Sequence, residues 1–463
     1  MTKFLQPIHA SLKGRHWPHI LGLAVTALAT ANSRGDDWPQ WLGPQRDSVW
    51  RETGILDKFP EGGPKVRWRT PIGGGYAGPA VANRQVYVTD RILKTGAQDP
   101  ANQFKRGQTP ATERVLCLNE ADGKVLWKHE YDCPYTISYP AGPRTTPVIA
   151  DGKVYTLGAE GHLFCLDAGT GRVLWSHDLK KVCGIEASVW GFASNPLLNG
   201  KKLICMAGGE GSAVLAFDKD SGKEIWRALS ATGNHGPGYG SPIIAEAGGR
   251  RQLIVWHIAA VSSLDPETGQ VFWEQPFRIN QGQTVPTPRQ HGELLFFTGF
   301  YDGSLMLRLD KDKPAASVVW QRKGRSERNT DALHSVICTP FLEEGCIYGV
   351  CAYGQFRGLK ADTGDRLWET LAATTGKLER WATAFIVKNG SRFFLFNEQG
   401  DLIIARLTPK GYEEISRAHL LEPTNTAQGR NVVWSHPAFA NRSVYARNDK
   451  EIVCVSLAGP AKN

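Results

Sequence analysis

Phe164-Cys-Leu-Asp-Ala-Gly-Thr-Gly-Arg-Val-Leu-Trp175 reads as two short β-rich runs, Phe164 to Leu166 and Val173 to Trp175, joined by a turn that carries aspartate and glycine. Aspartate side chains cap the backbone of such turns, and glycine supplies the positive φ that they demand. The stretch recurs as Leu116-Cys-Leu-Asn-Glu-Ala-Asp-Gly-Lys-Val-Leu-Trp127, Ala216-Phe-Asp-Lys-Asp-Ser-Gly-Lys-Glu-Ile-Trp226, Ser263-Leu-Asp-Pro-Glu-Thr-Gly-Gln-Val-Phe-Trp273 and Gly358-Leu-Lys-Ala-Asp-Thr-Gly-Asp-Arg-Leu-Trp368. With Trp68 and Trp320 included, successive tryptophans stand 59, 48, 51, 47, 47 and 48 residues apart. A fixed period of this length marks a repeat architecture.

Within one unit, Thr146 to Ala150, Lys153 to Leu157, Leu163 to Leu166 and Val173 to Trp175 are short strands parted by glycine-bearing turns. Four antiparallel strands in a unit of this size make a propeller blade. A polar insertion, Arg91 to Arg114, explains the long first interval. The period also lands on Ile415 in Gly411-Tyr-Glu-Glu-Ile415, a degenerate copy without tryptophan. The last unit has three strands, near His436 to Ala440, Ser443 to Arg447 and Ile452 to Leu457, and lacks an outer one. Val66-Arg-Trp68 is expected to supply it, which leaves no unfinished sheet edge. The prediction is therefore an all-β, eight-bladed propeller of four-stranded antiparallel blades over residues 65–457, closed by pairing a strand at 65–70 with the C-terminal blade.

These stretches resemble the pyrroloquinoline-quinone (PQQ) repeat of quinoprotein alcohol dehydrogenase-like propellers, whose consensus Ala-x-Asp-x-x-Thr-Gly-Lys-x-x-Trp is similar to the segments ending at Trp127, Trp175 and Trp368. The architecture also resembles that of BamB-like exported bacterial propellers. The resemblance implies that the repeat tryptophans Trp68, Trp127, Trp175, Trp226, Trp273, Trp320 and Trp368 dock blade against blade, as core rather than as a cofactor box.

At the N-terminus, Lys3, Lys13 and Arg15 precede a 12-residue apolar run, Ile20 to Ala31, that ends in Ala29-Thr30-Ala31. This pattern predicts a secretory signal peptide over residues 1–31, with a retained anchor as the alternative. The run is too short to span a bilayer core of about 30 Å. An exported, periplasmic or secreted protein with no stable membrane span follows. Residues 32–64 hold Trp38-Pro-Gln-Trp41-Leu-Gly-Pro44 and Trp50, too aromatic for a free tail, and are expected to pack on the propeller's side or base. Residues 458–463 read as a tail.

The formal charge of +9 falls to +6 without the first 31 residues, and the basic residues are scattered, which argues against nucleic-acid binding. Of nine cysteines, Cys117, Cys165 and Cys454 share one strand position and read as small core hydrophobes. Cys133 and Cys183 lie in equivalent loops, which leaves a disulfide between them open. No Cys-x-x-Cys or zinc-type spacing occurs, and no metal site is expected.

In a propeller the loops leading from one outer strand to the next inner strand converge on one mouth of the central channel. Aligned on the proline that opens each inner strand, with Phe385 in its place in the seventh blade, the positions one earlier are Gly78, Thr146, Asn195, Ser241, Thr287, Thr339, Ala384 and His436. Three earlier stand Tyr76, Arg144, Ala193, Tyr239, Val285, Ile337, Ala382 and Trp434. The expected ligand-binding cluster is Tyr76, Arg144, Trp190, His235, Tyr239, His334, Arg380, Trp381, Trp434 and His436, with Tyr135 and Tyr139 beside it. Aromatic faces and guanidinium groups suit a sugar, an anion or a flat quinone. The expectation is a monomeric, non-catalytic binding or scaffold module for an envelope protein, peptide or glycan, with no cofactor and no assigned catalytic residue. The alternative implied by the resemblance is a PQQ-dependent dehydrogenase that holds its quinone over calcium and oxidises an alcohol or sugar. The adjacent cysteine pair of those alcohol dehydrogenases is absent, and none of their calcium or base positions can be matched here.

Overall fold

The structure, a computed structural model, describes residues 1–2 and 36–460. The described residues 36–460 fall within one compact unit. Apart from Met1 and Thr2, the leader expected over residues 1–31 lies outside the described residues, as does the end of the tail. Among the described residues no helix is long and apolar enough to cross a membrane.

Eight four-stranded antiparallel sheets follow one another around a ring. Seven are continuous in sequence, over residues 80–132, 148–178, 197–228, 243–276, 289–322, 341–370 and 384–419. The eighth joins Ala438–Ala440, Ser443–Arg447 and Glu451–Ser456 to Val66–Pro71 from the other end of the chain. Trp68 stands opposite Cys454 and Thr70 opposite Ile452. That pairing satisfies the last edge and closes the ring.

Each outer strand carries a β-bulge at the same place. In the third blade Ala216 faces Trp226 and Phe217 faces Glu224, so Ile225 is the extra residue and points to solvent. The bulge turns the tryptophan toward the next blade. There the indole N–H donates to a carbonyl of the neighbouring turn: Trp68 to Glu120 (2.8 Å), Trp127 to Ala168 (2.9 Å), Trp175 to Lys219 (3.0 Å), Trp226 to Pro266 (3.3 Å), Trp320 to Ala361 (2.8 Å) and Trp368 to Thr408 (2.8 Å). The rings of Trp68, Trp127, Trp175, Trp226 and Trp320 lie on the glycine of that turn, whereas Gly411, in the turn that receives Trp368, has no atom near its Cβ position. Gly171 has φ +72°, and a Cβ there would stand 2.5 Å from Trp127. The turn is held by its aspartate, as the sequence implied: Asp167 Oδ1 accepts from the Thr170 backbone N–H (2.9 Å) and hydroxyl (2.7 Å).

Two blades depart from this scheme. Trp273 donates to Gln252 Oε1 of its own blade (2.8 Å), and the turn it would meet, Asp310-Lys-Asp-Lys-Pro314, has no glycine. In the seventh blade Ile404 faces Ser416 and Ala405 faces Glu414. Ile415 thus fills the bulge, and Ser416 stands where the other blades have tryptophan; its hydroxyl accepts from the Phe59 backbone N–H (3.0 Å).

That N–H belongs to an N-terminal strap. Trp38 exchanges backbone bonds with Val81 of the first blade (2.8 and 2.9 Å), and Pro39 accepts from Ile149 of the second (2.8 Å). Partly buried Arg46 donates to the carbonyls of Pro196 (3.0 Å) and Pro242 (3.3 Å), in the third and fourth blades. Arg289 of the fifth reaches back to the Asp47 carbonyl (2.5 Å), Trp50 donates to Lys388 of the seventh (2.7 Å), and Glu52 accepts from Arg442 of the eighth (2.9 Å). Trp38 and Trp50 are fully buried in a core shared with Phe394 and Phe439.

Candidate functional site

The central channel narrows to a cavity of about 170 Å³. Its walls follow from the inner-strand register. Seven of the eight positions three before each inner strand line it, Ala382 being the exception. The positions one before form a girdle: Thr146 N–H donates to Asn195 Oδ1 (2.7 Å), Asn195 N–H to Ser241 Oγ (3.0 Å) and Thr287 N–H to Thr339 Oγ1 (3.1 Å). Gly78 fits because any Cβ would stand 2.2 Å from the His436 carbonyl. The floor is Trp41 of the strap, whose indole donates to Thr287 Oγ1 (2.9 Å) and stands edge-on to His436 (4.9 Å).

Of the expected cluster, Tyr76, Arg144, Trp190, Tyr239, Trp381, Trp434 and His436 line this cavity, together with Tyr139. On one wall Trp434 stands 6.5 Å from Tyr76, 6.2 Å from Tyr139 and 6.4 Å from Trp381. Opposite, Trp190 and Tyr239 stand 5.4 Å apart, and the Trp190 backbone N–H donates to the Tyr239 hydroxyl (3.3 Å). Buried Glu398 fixes the rim by accepting from Arg430 (2.6 Å), the Trp434 indole (3.3 Å) and the Thr383 N–H (3.1 Å).

The other members take structural places. His334 is saturated by backbone: its Nδ1–H donates to the Phe300 carbonyl (2.9 Å) and its Nε2 accepts from Gly324 N–H (3.1 Å). Arg380 pairs with Glu327 (2.8 Å) and lies over the Trp381 ring (5.0 Å), so it supports the wall from behind. His235 packs behind Trp190 (5.7 Å). Tyr135 is buried, with its hydroxyl on Glu113 and Arg91 over its ring (4.7 Å). His436 lies at the floor rather than the rim. Burial lowers its pKa to about 4, and with Nδ1–H given to the Pro437 carbonyl (2.6 Å) it is a neutral imidazole. Burial raises the Tyr239 phenol to about 12 and the Tyr76 phenol further.

Two parts of the mouth had no repeat signal. Phe104, from the first-blade insertion, stands against Tyr139 (5.0 Å) and Trp381 (5.9 Å). A hairpin of Asn425–Ala427 and Arg430–Val432, between the last two blades, places the Gln428 amide on the Tyr139 hydroxyl (3.1 Å).

Among the described residues the lining holds eight aromatic side chains, one guanidinium and no carboxylate. Calcium takes six to eight oxygen ligands, carboxylates foremost, so these residues do not fit a quinone seated on calcium. Among the described residues no group of three or more His, Cys, Asp or Glu is placed to hold a metal ion. All nine cysteines are free thiols, Cys133 and Cys183 included.

Residues 111–335 and 261–463 match the family model described as outer membrane protein assembly factor BamB. The chain belongs to this PQQ-repeat propeller family. Among solved structures, BamB from Moraxella catarrhalis is 17% identical with a TM-score of 0.51, covering 81% of this chain and 99% of its own. Quinohemoprotein alcohol dehydrogenase from Comamonas testosteroni is 12% identical with a TM-score of 0.58, covering 92% and 81%. The quinohemoprotein alcohol dehydrogenase ADHIIG from Pseudomonas putida HK5 is 13% identical with a TM-score of 0.57, over the same 92% and 81%. At these identities the likeness concerns the fold. No curated protein matches the chain in sequence.

Proposed function

We propose that this protein is a non-catalytic binding propeller of the bacterial envelope, exported and then engaging a protein, peptide or glycan partner at the aromatic mouth of its channel. The observation that carries this reading is the composition of the cavity wall: clustered aromatic rings, fixed from behind by Glu398 and Arg380, with no acid–base pair among the described lining residues. Such a wall binds flat or apolar groups and offers nothing to move a proton. Its only imidazole, His436, is neutral, buried and tied to its own backbone. The dehydrogenase alternative has fold likeness in its favour and a donor set against it.

The test is photo-crosslinking in cells. Benzoylphenylalanine replaces Phe104 at the rim (49% exposed) and, as control, Val318 on an outer strand (45% exposed). The reading expects a discrete adduct from position 104, lost in Trp434→Ala, and none from 318. Adducts from the flank alone, or calcium-dependent quinone binding with dye-linked alcohol oxidation, would remove it.

A further inference from the structure

We infer that the mouth receives the last residue of a partner protein, with an apolar side chain in the aromatic cavity and its terminal carboxylate against Arg144. This inference rests on the binding reading above and names the occupant.

Among the described residues Arg144 is the only formally charged side chain in the lining. Its guanidinium lies over Tyr76 (5.2 Å) and donates to the carbonyls of Gly142, Ser138 (3.0 Å) and Tyr139 (2.5 Å). Among the described residues it forms no ion pair. Asp449, the nearby acid, accepts instead from Gly75 N–H (3.0 Å) and lies beside Arg447 and Arg91. Arg106, whose field reaches the Tyr239 hydroxyl together with that of Arg144, likewise donates to carbonyls, those of Thr136 (2.8 Å) and Ala187 (3.0 Å). In the narrow cavity the formal charge is therefore positive and lies beside apolar rings. It disfavours a cation, and a neutral ligand would leave Arg144 without a counter-charge.

Size separates a chain terminus from a long flat molecule. A cavity of about 170 Å³ falls below the roughly 300–1,000 Å³ of drug-sized pockets and suits one side chain. A second, wider cavity of about 840 Å³ meets it at Tyr139. Its lining includes the amides of Asn102, Gln103, Asn425 and Gln428 and the charged Arg91, Asp99 and Asp449, of which Arg91 and Asp99 pair with each other. Amide side chains both donate and accept, as a peptide backbone requires. The residues preceding the terminal one occupy this groove.

The test uses the full chain and a pool of hexapeptides, randomised at five positions and ending in Phe, Trp or Leu, as free acids and as C-terminal amides. Binding is read by calorimetry and by quenching of tryptophan fluorescence. The free acids bind with Kd below about 1 mM and the amides at least about tenfold more weakly. Arg144→Gln removes that discrimination, Arg144→Lys keeps part of it, and unchanged melting shows that both variants fold. Equal binding of acid and amide, tight binding of 3-phenylpropionate alone, or binding of oligogalacturonate with no peptide each overturns the inference while the binding reading stands. If no probe binds and the Phe104 position captures nothing, both fail.

Discussion

Two glycines of the second blade share the same backbone conformation and differ only in what faces them. Gly152 and Gly171 both have φ +72°; a Cβ on Gly152 would meet open space, whereas one on Gly171 would stand 2.5 Å from Cε3 and 2.8 Å from Cδ2 of Trp127. The left-handed conformation costs an alanine about 1–2 kcal/mol at either position. At Gly171 the ring must also move, against its hydrogen bond to the Ala168 carbonyl (2.9 Å), which adds an overpacking cost of about 1–3 kcal/mol. Gly152→Ala should therefore lose about 1–2 kcal/mol and Gly171→Ala about 2–5 kcal/mol. Urea unfolding followed by circular dichroism measures both, provided the slopes agree. Trp127→Leu should relieve part of the Gly171→Ala penalty, so the double variant loses less than the sum of the singles. Equal losses at the two glycines would refute the claim that the repeat tryptophan seats on the next blade's turn.

Trp50, fully buried with its indole on Glu52 (2.7 Å), should cost about 3–5 kcal/mol as Trp50→Ala and expose the strap to protease ahead of Pro64; unchanged melting would show that the strap is dispensable. The pKa of His436, lowered by burial from 6.5 to about 4, makes the unfolded state the better proton binder between those values. Its contribution is complete above about pH 6.5 and is lost as pH falls toward 4, by roughly 3 kcal/mol. His436→Phe should flatten that part of a melting-versus-pH curve. Cys183 is the one partly exposed thiol, so native-state labelling should modify it first and leave the other eight until denaturant is added.

The blade count was readable because tryptophan, glycine and aspartate recur for one geometric reason, the seating of each ring on the next turn. Where the turn changed, so did the seat. Trp273 looks like its counterparts in sequence yet bonds within its own blade, and the seventh blade's equivalent is Ser416, one residue beyond the position that spacing alone selects. The cavity wall was legible where the inner-strand proline fixes the register, as at Tyr76, Arg144, Tyr239 and Trp434. His334 and Arg380 were residues of the right type with the wrong neighbours, since a backbone N–H and Glu327 claim them. Phe104, Gln428 and the floor at Trp41 arise from segments outside the repeat, where no periodicity points to a location.

The aromatic mouth is proposed as a binding surface. Its most direct test is an experimental structure of the protein purified from its native host with its partner retained. Density is expected between Trp190 and Trp434, reaching Arg144 and extending past Tyr139 into the amide-lined groove. A partner seated only on the outer strands, or a quinone held over a metal ion in the channel, would contradict it.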